Sequence, residues 1–272
     1  MDPKLQRRIQ RYGWDKAAAH YEQSWQSQLE PAQRRLLELA NIAAGERVLD
    51  IACGTGLVTF AAADAVCAGG TVLGVDVSDE MVGLARARVE ARGDDHVRFE
   101  RMDAGELALP NESFEVAVSA LGLMYVPDAN AAVSEMARVL APGGRAVAAV
   151  WGRRSRCGWA EIFPIVDARV RSEVCPLFFS LGTADRLSEL FREAGLADVI
   201  AERIETTLEW ESGDAACDAA FVGGPVALAY SRFDESMRCA VRRDYLASIE
   251  PWRDGSRYRI PGEFVVVAGV KR

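Results

Sequence analysis

The chain has 272 residues, enough for one large domain or for a domain that carries a substantial insertion. Half of its residues are hydrophobic and 26% are charged, a balance typical of a folded globular protein. Its formal net charge of -8 is unfavourable for phosphate recognition and argues against a nucleic-acid partner.

The cysteines and histidines predict no metal site. Six cysteines form no C-x-x-C pair, and the chain has only two histidines. The polar start of the chain does not have the pattern of a signal peptide, and no apolar run approaches the roughly 18 residues that span a bilayer. We therefore expect a soluble, cytoplasmic protein with free thiols and no membrane span.

Residues 1–30 are predicted to form an N-terminal helical lid. Trp14, Tyr21 and Trp25 are spaced at i, i+7 and i+11, so they share one helical face. That face can pack on the core or cover a ligand site, with Tyr21 or Trp25 over the ligand, and the sequence leaves both interpretations open. Pro31 then predicts the start of a second helix.

Residues 31–152 alternate short apolar strands with helices, which predicts βαβ units and a parallel sheet. The first strand leads into a turn that contains Gly54 and Gly56, and a helix follows. Such a turn brings bare backbone close to a ligand, and the helix start adds free N–H groups. The five predicted strands cover residues 48–52, 71–76, 97–102, 114–119 and 145–151.

The pattern changes in the remainder of the chain, residues 153–272. An irregular aromatic segment leads to a long strand over 197–210, a mostly helical block over 211–258 and a final strand over about 262–271. The two strands can pair as an antiparallel edge. We therefore predict an α/β fold: a Rossmann-like, doubly wound, mostly parallel seven-stranded sheet with an antiparallel edge strand and a helical cap inserted over 211–258.

The aromatic residues between positions 151 and 258 have two interpretations. They can form a lid over an apolar or ring-bearing small molecule. They would serve equally well as the core of a helical cap. These residues are Trp151, Trp159, Phe163, Phe178, Phe179, Phe221, Tyr230, Phe233 and Tyr245.

Three acids lie in or near the ends of the first three strands, namely Asp50, Asp76 and Asp103. Ligands of an open α/β sheet bind at the carboxyl ends of the strands, so these acids should meet at one crevice. Asp76 follows Gly56 by 20 residues, the distance at which a carboxylate can accept both ribose hydroxyls. The third glycine of a dinucleotide fingerprint is replaced by Thr59. Acids without a basic neighbour suit a cationic nucleoside better than a pyrophosphate.

The motifs at residues 48–56, 74–78 and 102–104 together resemble the class I S-adenosylmethionine-dependent methyltransferases. The resemblance covers roughly residues 10–152. Three further segments resemble the quinone-biosynthesis-like branch of small-molecule methyltransferases. They lie at residues 19–22, 114–118 and 135–144.

The resemblance implies roles around S-adenosylmethionine for the matching positions. Gly54 and Gly56 would approach the methionyl end, beside Asp50 and the backbone of Ala52. Asp76 would accept hydrogen bonds from the ribose hydroxyls. A local interpretation stays open beside this one, since Asp76 can also cap the helix that follows it.

The resemblance also implies an adenine site. Val77 and Met81 would pack on the ring, Asp103 would accept from its amino group, and the backbone amide of Ala104 would reach a ring nitrogen. Met81 can equally be part of the core. The predicted cofactor site is completed by the lid residue Tyr21 and, on the methyl-donor side, by Ser119 and Leu121.

The chemistry of a sulfonium donor requires little from the enzyme beyond alignment, because the donor carries its own leaving group. An acid or base is needed only if the acceptor must lose a proton. His20, near the expected mouth of the cleft, and Tyr125, after the fourth strand, are the two candidates. The loop before Tyr125 lacks the Asn/Asp-Pro-Pro-Phe/Tyr pattern by which family members position the amino group of a nucleic-acid base.

We therefore predict an S-adenosylmethionine-dependent methyltransferase that acts by in-line displacement on O, C or N of an apolar or aromatic small molecule. S-adenosylhomocysteine would be its second product. One alternative is a protein of the same fold that uses bound S-adenosylmethionine for a regulatory or other role without methyl transfer. A nicotinamide-dependent dehydrogenase is another, on the fold alone. The sequence leaves room for a homodimer and does not identify the acceptor.

Overall fold

The computed structural model describes residues 3–170 and 175–272 of the chain. Residues 1, 2 and 171–174, which belong to the predicted lid and to the irregular segment after the core, lie outside the described residues. No helix in the described part combines the length and the apolar character that crossing a membrane requires.

The first helix, α1, spans Pro3–Ala40 and contains Pro31 in its interior. The prediction that a helix begins at Pro31 is therefore wrong, and one helix runs through the boundary expected between lid and core. An interior proline removes a backbone hydrogen bond and costs about 3 kcal/mol. Burial of an apolar stripe on both sides of the proline offsets this cost. The stripe consists of Trp25, Leu29, Ala32 and Leu36.

The other helices and strands follow the predicted alternation, and the first four strands agree with prediction to within one residue at each end. The helices and strands that follow α1 are β1 Arg47–Ile51, α2 Leu57–Val66, β2 Thr71–Asp76, α3 Asp79–Arg92, β3 Val97–Arg101, β4 Phe114–Ala120, α4 Ala129–Val139, β5 Leu140–Trp151, α5 Ile162–Asp167, α6 Arg186–Glu193, β6 Leu196–Trp210, α7 Gly213–Phe221, α8 Ala227–Ser231, α9 Glu235–Ile249, β7 Arg253–Asp254 and β8 Arg257–Lys271.

The strands form one sheet in the order β3-β2-β1-β4-β5-β8-β6, and the two-residue β7 pairs with β8. Strands β1 to β5 pair in parallel, whereas β8 runs antiparallel to both β5 and β6. This confirms the predicted mostly parallel α/β sheet with an antiparallel pair at its edge. The chain order reverses between β1 and β4, and such a switch point opens a crevice at the carboxyl ends of the two strands.

Helix α1 connects the sheet to the helical block α7–α9. It contacts strands β4, β5, β6 and β8 and also helices α3, α7 and α8. Trp25 Nε1 donates to the carbonyl oxygen of Ala219 in α7 at 3.2 Å. The amide of Gln28 donates to the carbonyl of Glu209 in β6 at 2.7 Å and accepts from its N–H at 3.0 Å. These bonds fix α1 over the carboxyl ends of the strands.

The turn after β1 depends on Gly56, the residue that precedes α2. Its φ of 91° lies in the left-handed region. A Cβ atom on Gly56 would lie 2.7 Å from Phe99 Cζ and 2.9 Å from Phe60 Cε2. Both the backbone conformation and the packing of the two rings therefore require glycine here.

Gly56→Ala should lower the free energy of unfolding, because alanine would be strained at this φ and would displace the two phenylalanine rings. Gly93→Ala is the matched control, since Gly93 also has a positive φ, of 71°, but has no atom within 4 Å of the added methyl group. In urea unfolding we expect Gly56→Ala to lose about 1–3 kcal/mol more than Gly93→Ala. Equal losses would show that the ring contacts do not contribute.

Candidate cofactor and acceptor site

A cavity with about 940 Å³ of empty space, counting its open mouth, lies at the carboxyl ends of the parallel strands and beneath α1. We call it the first cavity. Most of the predicted site residues line it: Tyr21, Asp50, Ala52, Gly54, Asp76, Val77, Met81, Asp103, Ala104, Leu121 and Tyr125.

The remaining three predicted residues do not belong to this lining. His20 is exposed on α1. Gly56 faces the rings of Phe60 and Phe99. Ser119 is fully buried in β4, and its hydroxyl has no hydrogen-bond partner among the described residues. The structure thus brings ten of the twelve predicted cofactor residues together but places Gly56, Ser119 and the predicted base His20 outside this lining.

Asp76 joins the glycine turn to the start of α3. Its Oδ2 accepts from the N–H of Gly54 at 2.9 Å, and its Oδ1 accepts from the N–H of Ser78 at 2.9 Å. Burial raises the pKa of Asp76, and these N–H donors oppose that shift. Each carboxylate oxygen has two lone pairs, so Asp76 can hold the turn and still accept from a ligand.

Asp50 is buried at the end of β1 with one oxygen satisfied. Its Oδ2 accepts from the hydroxyl of Thr59 at 2.6 Å. Its Oδ1 is buried without a hydrogen-bond partner in the described part of the chain. Burial raises the pKa of Asp50 to about 7, the Thr59 hydrogen bond opposes this shift, and the nearby Asp76 adds to it. A cationic or hydrogen-donating ligand group would satisfy this oxygen.

Asp103 has a basic partner that sequence reasoning missed. Its Oδ1 accepts from the N–H of Gly105 at 2.8 Å. Its Oδ2 lies 2.6 Å from Nε of Arg7, which extends from α1 and also lines the cavity. Arg7 precedes Trp14 by seven residues and Tyr21 by fourteen, so it lies on the same face of the helix. This spacing could have identified Arg7 as a residue that faces the cavity.

Further contacts hold the amino-terminal half of α1 over the cavity. Asp15 accepts a hydrogen bond from the Ser78 hydroxyl at 2.6 Å. Arg11 pairs with Asp79 and Glu22 pairs with Arg88, so both ion pairs join α1 to α3. The ring of Tyr21 lies over the glycine turn, where its Cε1 is 3.9 Å from the position that a Cβ atom would take on Gly54.

A second cavity, with about 320 Å³ of empty space, adjoins the first one. The two cavities share four lining residues: Trp14, Tyr21, Leu121 and Tyr125. The other residues that line the second cavity are Trp25, Leu29, Met124, Trp151, Trp159 and Pro225. The predicted face of Trp14, Tyr21 and Trp25 therefore lines a cavity, and the predicted cap over 211–258 contributes Pro225 to it.

Comparison with known proteins gives the family. The profile of a family described as a methyltransferase domain matches residues 48–144. The demethylmenaquinone methyltransferase of Geobacillus kaustophilus (strain HTA426) is 31% identical over 212 residues, which cover 68% of this chain and 87% of that protein. The chain belongs to the class I S-adenosylmethionine-dependent methyltransferases, in the quinone-biosynthesis-like branch.

Two further similarities bear on the family and on the fold. The nocamycin O-methyltransferase of Saccharothrix syringae is 36% identical over 132 residues, which cover 48% of this chain and 47% of that protein. Among solved structures, the YcgJ protein of Bacillus subtilis superposes with a TM-score of 0.63 at 18% identity, covering 89% of this chain and 99% of that one. The second similarity shows the fold alone.

Membership of this methyltransferase family identifies the donor as S-adenosylmethionine and excludes the alternative of a nicotinamide-dependent dehydrogenase. The first cavity fits this donor by the chemistry of its groups. It presents two buried carboxylates, Asp50 and Asp76, and one of them has an oxygen without a partner in the described part. These groups suit an amino group, a sulfonium and ribose hydroxyls. The side chains of Val77 and Met81 offer apolar contact for an adenine ring.

The loops that carry Ala52 and Leu121 hold these residues in a strained conformation. Their φ values are 58° and 61°, in a region that non-glycine residues enter at a cost of about 1–3 kcal/mol each. The loops approach closely, because a Cβ atom on Gly122 would lie 2.3 Å from Cβ of Ala52. The N–H of Leu121 donates to the carbonyl of Ala149 at 2.8 Å, which helps to fix the second loop.

Tyr125 is less suited to the role of a general base than the sequence indicated. Burial raises the pKa of its phenol well above the ordinary value of 10.0, and the neighbouring Cys175 and Tyr21 add to the shift. The phenol therefore stays protonated at neutral pH and can donate a hydrogen bond. Its ring packs edge-on against Trp14 at a centroid distance of 4.9 Å.

Stability should depend on pH through Asp50. Its pKa of about 7 in the folded protein lies above its ordinary value of 3.8, so between these values the folded state holds a proton that the unfolded state has lost. The Asp50 contribution to the free energy of unfolding is therefore present below about pH 4 and is lost as the pH rises to about 7. Asp50→Asn abolishes this dependence, so its stability relative to wild type should increase with pH.

Urea unfolding of wild type and Asp50→Asn at pH 5, 6, 7 and 8 measures this difference. Thr59→Val provides a directional control, because it removes the hydrogen bond that opposes the shift. The pH interval over which wild-type stability falls should extend upward in Thr59→Val. A difference between wild type and Asp50→Asn that stays constant across this pH range would contradict the assignment.

Proposed function

We propose that the first cavity binds S-adenosylmethionine and that the second cavity binds the methyl acceptor, an apolar or aromatic small molecule. One observation carries the proposal: the two cavities share four lining residues, Trp14, Tyr21, Leu121 and Tyr125. A donor in the first cavity and an acceptor in the second would contact the same side chains and so lie next to each other. This arrangement supplies the alignment that methyl transfer mainly needs.

In this proposal each of the three acids binds a different part of the donor. Asp76 accepts from the ribose hydroxyls with the lone pairs that Gly54 and Ser78 leave free. Asp50 Oδ1 faces the methionyl end, where a cationic group would satisfy it. Asp103 lies by the adenine, and its ion pair with Arg7 places α1 across that end of the cavity.

S-adenosylmethionine supplies a methyl group on a sulfur leaving group and becomes S-adenosylhomocysteine. The residues of this chain bind the donor and the acceptor, align them and exclude water. Tyr21 and Trp14, whose ring centroids lie 5.6 Å apart in edge contact, line both cavities from α1. Correct alignment is worth about 7–11 kcal/mol in favourable cases, so a strong catalytic base is not required.

Several observations support a ring-bearing acceptor over other classes. Among the described residues, six of the ten that line the second cavity are aromatic. The relatives include a demethylmenaquinone methyltransferase and a nocamycin O-methyltransferase, both named for small molecules. The net charge of -8 makes a nucleic-acid substrate unfavourable. Homodimer formation and a cytoplasmic location stay predictions.

Asp76→Asn should weaken binding of S-adenosylhomocysteine, because the amide has one acceptor oxygen where the carboxylate has two. We expect an increase in Kd of about 10- to 100-fold, equivalent to about 1.4–2.8 kcal/mol. Calorimetric titrations with S-adenosylmethionine, S-adenosylhomocysteine and NAD measure the effect and its selectivity. Wild type should bind the first two ligands and not NAD.

Glu90→Gln is the matched control, since Glu90 is an acid of α3 whose side chain is exposed and does not line the first cavity. Its Kd should stay within about twofold of wild type. An unchanged Kd in Asp76→Asn would place the ribose elsewhere. Equal losses in both variants would indicate a general effect on α3 and would also contradict the proposed role.

A further inference from the structure

Asp15 joins helix α1 to the start of α3 by hydrogen bonds. Its Oδ1 accepts from the hydroxyl of Ser78 at 2.6 Å and from the backbone N–H of Glu80 at 3.3 Å. Ser78 is fully buried, whereas Asp15 is half-buried on α1. Asp15 does not belong to the lining of either cavity. Any effect of Asp15 on a bound donor must therefore pass through the start of α3.

The hydroxyl of Ser78 makes two hydrogen bonds. It accepts from the N–H of Met81 at 3.2 Å, which caps α3, and it donates to Asp15. Since a hydroxyl has one hydrogen, the acceptor that binds this hydrogen also orients the lone pairs that receive the N–H of Met81. The backbone N–H of Ser78 in turn donates to Oδ1 of Asp76 at 2.9 Å. Hydrogen bonds thus connect α1, through Ser78, with the carboxylate of Asp76.

The segment that Ser78 holds contributes three side chains to the first cavity, namely Asp76, Val77 and Met81. Ser78 lies in the middle of this segment. Its bond to Asp15 has a charged acceptor, and such bonds are stronger than neutral ones. The presence of Asp15 at this place therefore affects the conformation of a large part of the cavity lining.

Two ion pairs join the same two helices without contacting Ser78. They are Arg11 with Asp79 and Glu22 with Arg88, and their side chains are partly exposed. Ion pairs of this kind contribute little stability each. Among these contacts, the bond between Asp15 and Ser78 is the one that continues to Asp76.

We propose that Asp15 is a positioning residue that couples the docking of α1 to the binding of S-adenosylmethionine. With α1 docked, its bond to Ser78 holds residues 76–81 in the conformation that presents Asp76, Val77 and Met81 to the donor. A bound donor holds the same segment and so strengthens the docking of α1, because such a coupling is reciprocal. The inference rests on the proposed function, since it concerns a donor in the first cavity.

Calorimetric titration with S-adenosylhomocysteine tests the effect of Asp15 on the donor site. Asp15→Ala should raise Kd about 5- to 20-fold, because the buried hydroxyl of Ser78 loses its acceptor. Asp15→Asn keeps an acceptor oxygen at this place and should restore Kd to within about threefold of wild type. In a Ser78→Ala background, Asp15→Ala should change Kd by less than about twofold, since the bond is already absent.

Lys16→Ala is the matched control, because Lys16 is the next residue of α1 and its side chain is exposed. Its Kd should stay within about twofold of wild type. Arg11→Gln removes an ion pair between α1 and α3 but leaves the bond to Ser78 in place. It should raise Kd by less than about threefold, as expected of a partly exposed pair.

Hydrogen–deuterium exchange tests the coupling in the opposite direction. Saturating S-adenosylhomocysteine should slow exchange of the backbone amides of residues 7–16, in the amino-terminal half of α1, in the wild-type protein. The slowing should be several-fold smaller in Asp15→Ala at a ligand concentration that also saturates this variant.

The possible results separate this inference from the proposed function. If S-adenosylhomocysteine does not bind wild type, the proposed function fails. If it binds and Asp15→Ala keeps the wild-type Kd, or if Asp15→Asn or Arg11→Gln loses as much affinity as Asp15→Ala, the assigned role of the bond to Ser78 is wrong. Equal slowing of exchange in wild type and Asp15→Ala would contradict the coupling.

Discussion

The carboxylate of Asp76 is the group on which the arrangement of the site depends. It is buried at the end of β2, and it accepts from Gly54 in the turn after β1 and from Ser78 at the start of α3. A hydrogen bond to a charged group contributes more than a neutral one, about 1.5–3 kcal/mol. One side chain therefore fixes two loops relative to each other. The same side chain lines the first cavity, so the position of this cavity follows from the packing of the sheet.

Helix α1 covers the carboxyl ends of the parallel strands, where the first cavity lies. Its apolar stripe packs on the core, and its amino-terminal half reaches across the cavity with Arg7, Trp14 and Tyr21. Partly exposed ion pairs such as those of Arg7 and Arg11 contribute little stability each, and salt screens them. The hydrogen bond between Ser78 and Asp15 adds a further local contact. The amino-terminal half of the cover is thus held by several weak contacts, whereas the part near Trp25 is held by buried packing.

Most of the lining of the first cavity could be predicted from the sequence, because these residues lie at fixed places in a strand-turn-helix pattern. Asp50, Gly54 and Asp76 lie where β1 and β2 end, and the register of a parallel sheet brings such positions together. The interior Pro31 was misread, because local propensity indicated a helix start and tertiary packing overrode it. Arg7 was missed for a different reason: its partner, Asp103, lies 96 residues away along the chain.

The lining of the second cavity, which we propose to hold the acceptor, was less predictable for a physical reason. Its lining combines residues from α1, from the loop after β4, from β5 and from the irregular segment that contains Trp159. No periodic pattern links such positions, and an aromatic residue in a core looks the same in sequence as one that lines a cavity. The lining of the first cavity can therefore be recognised from motifs, whereas the lining of the second cavity can be identified only from the packed structure.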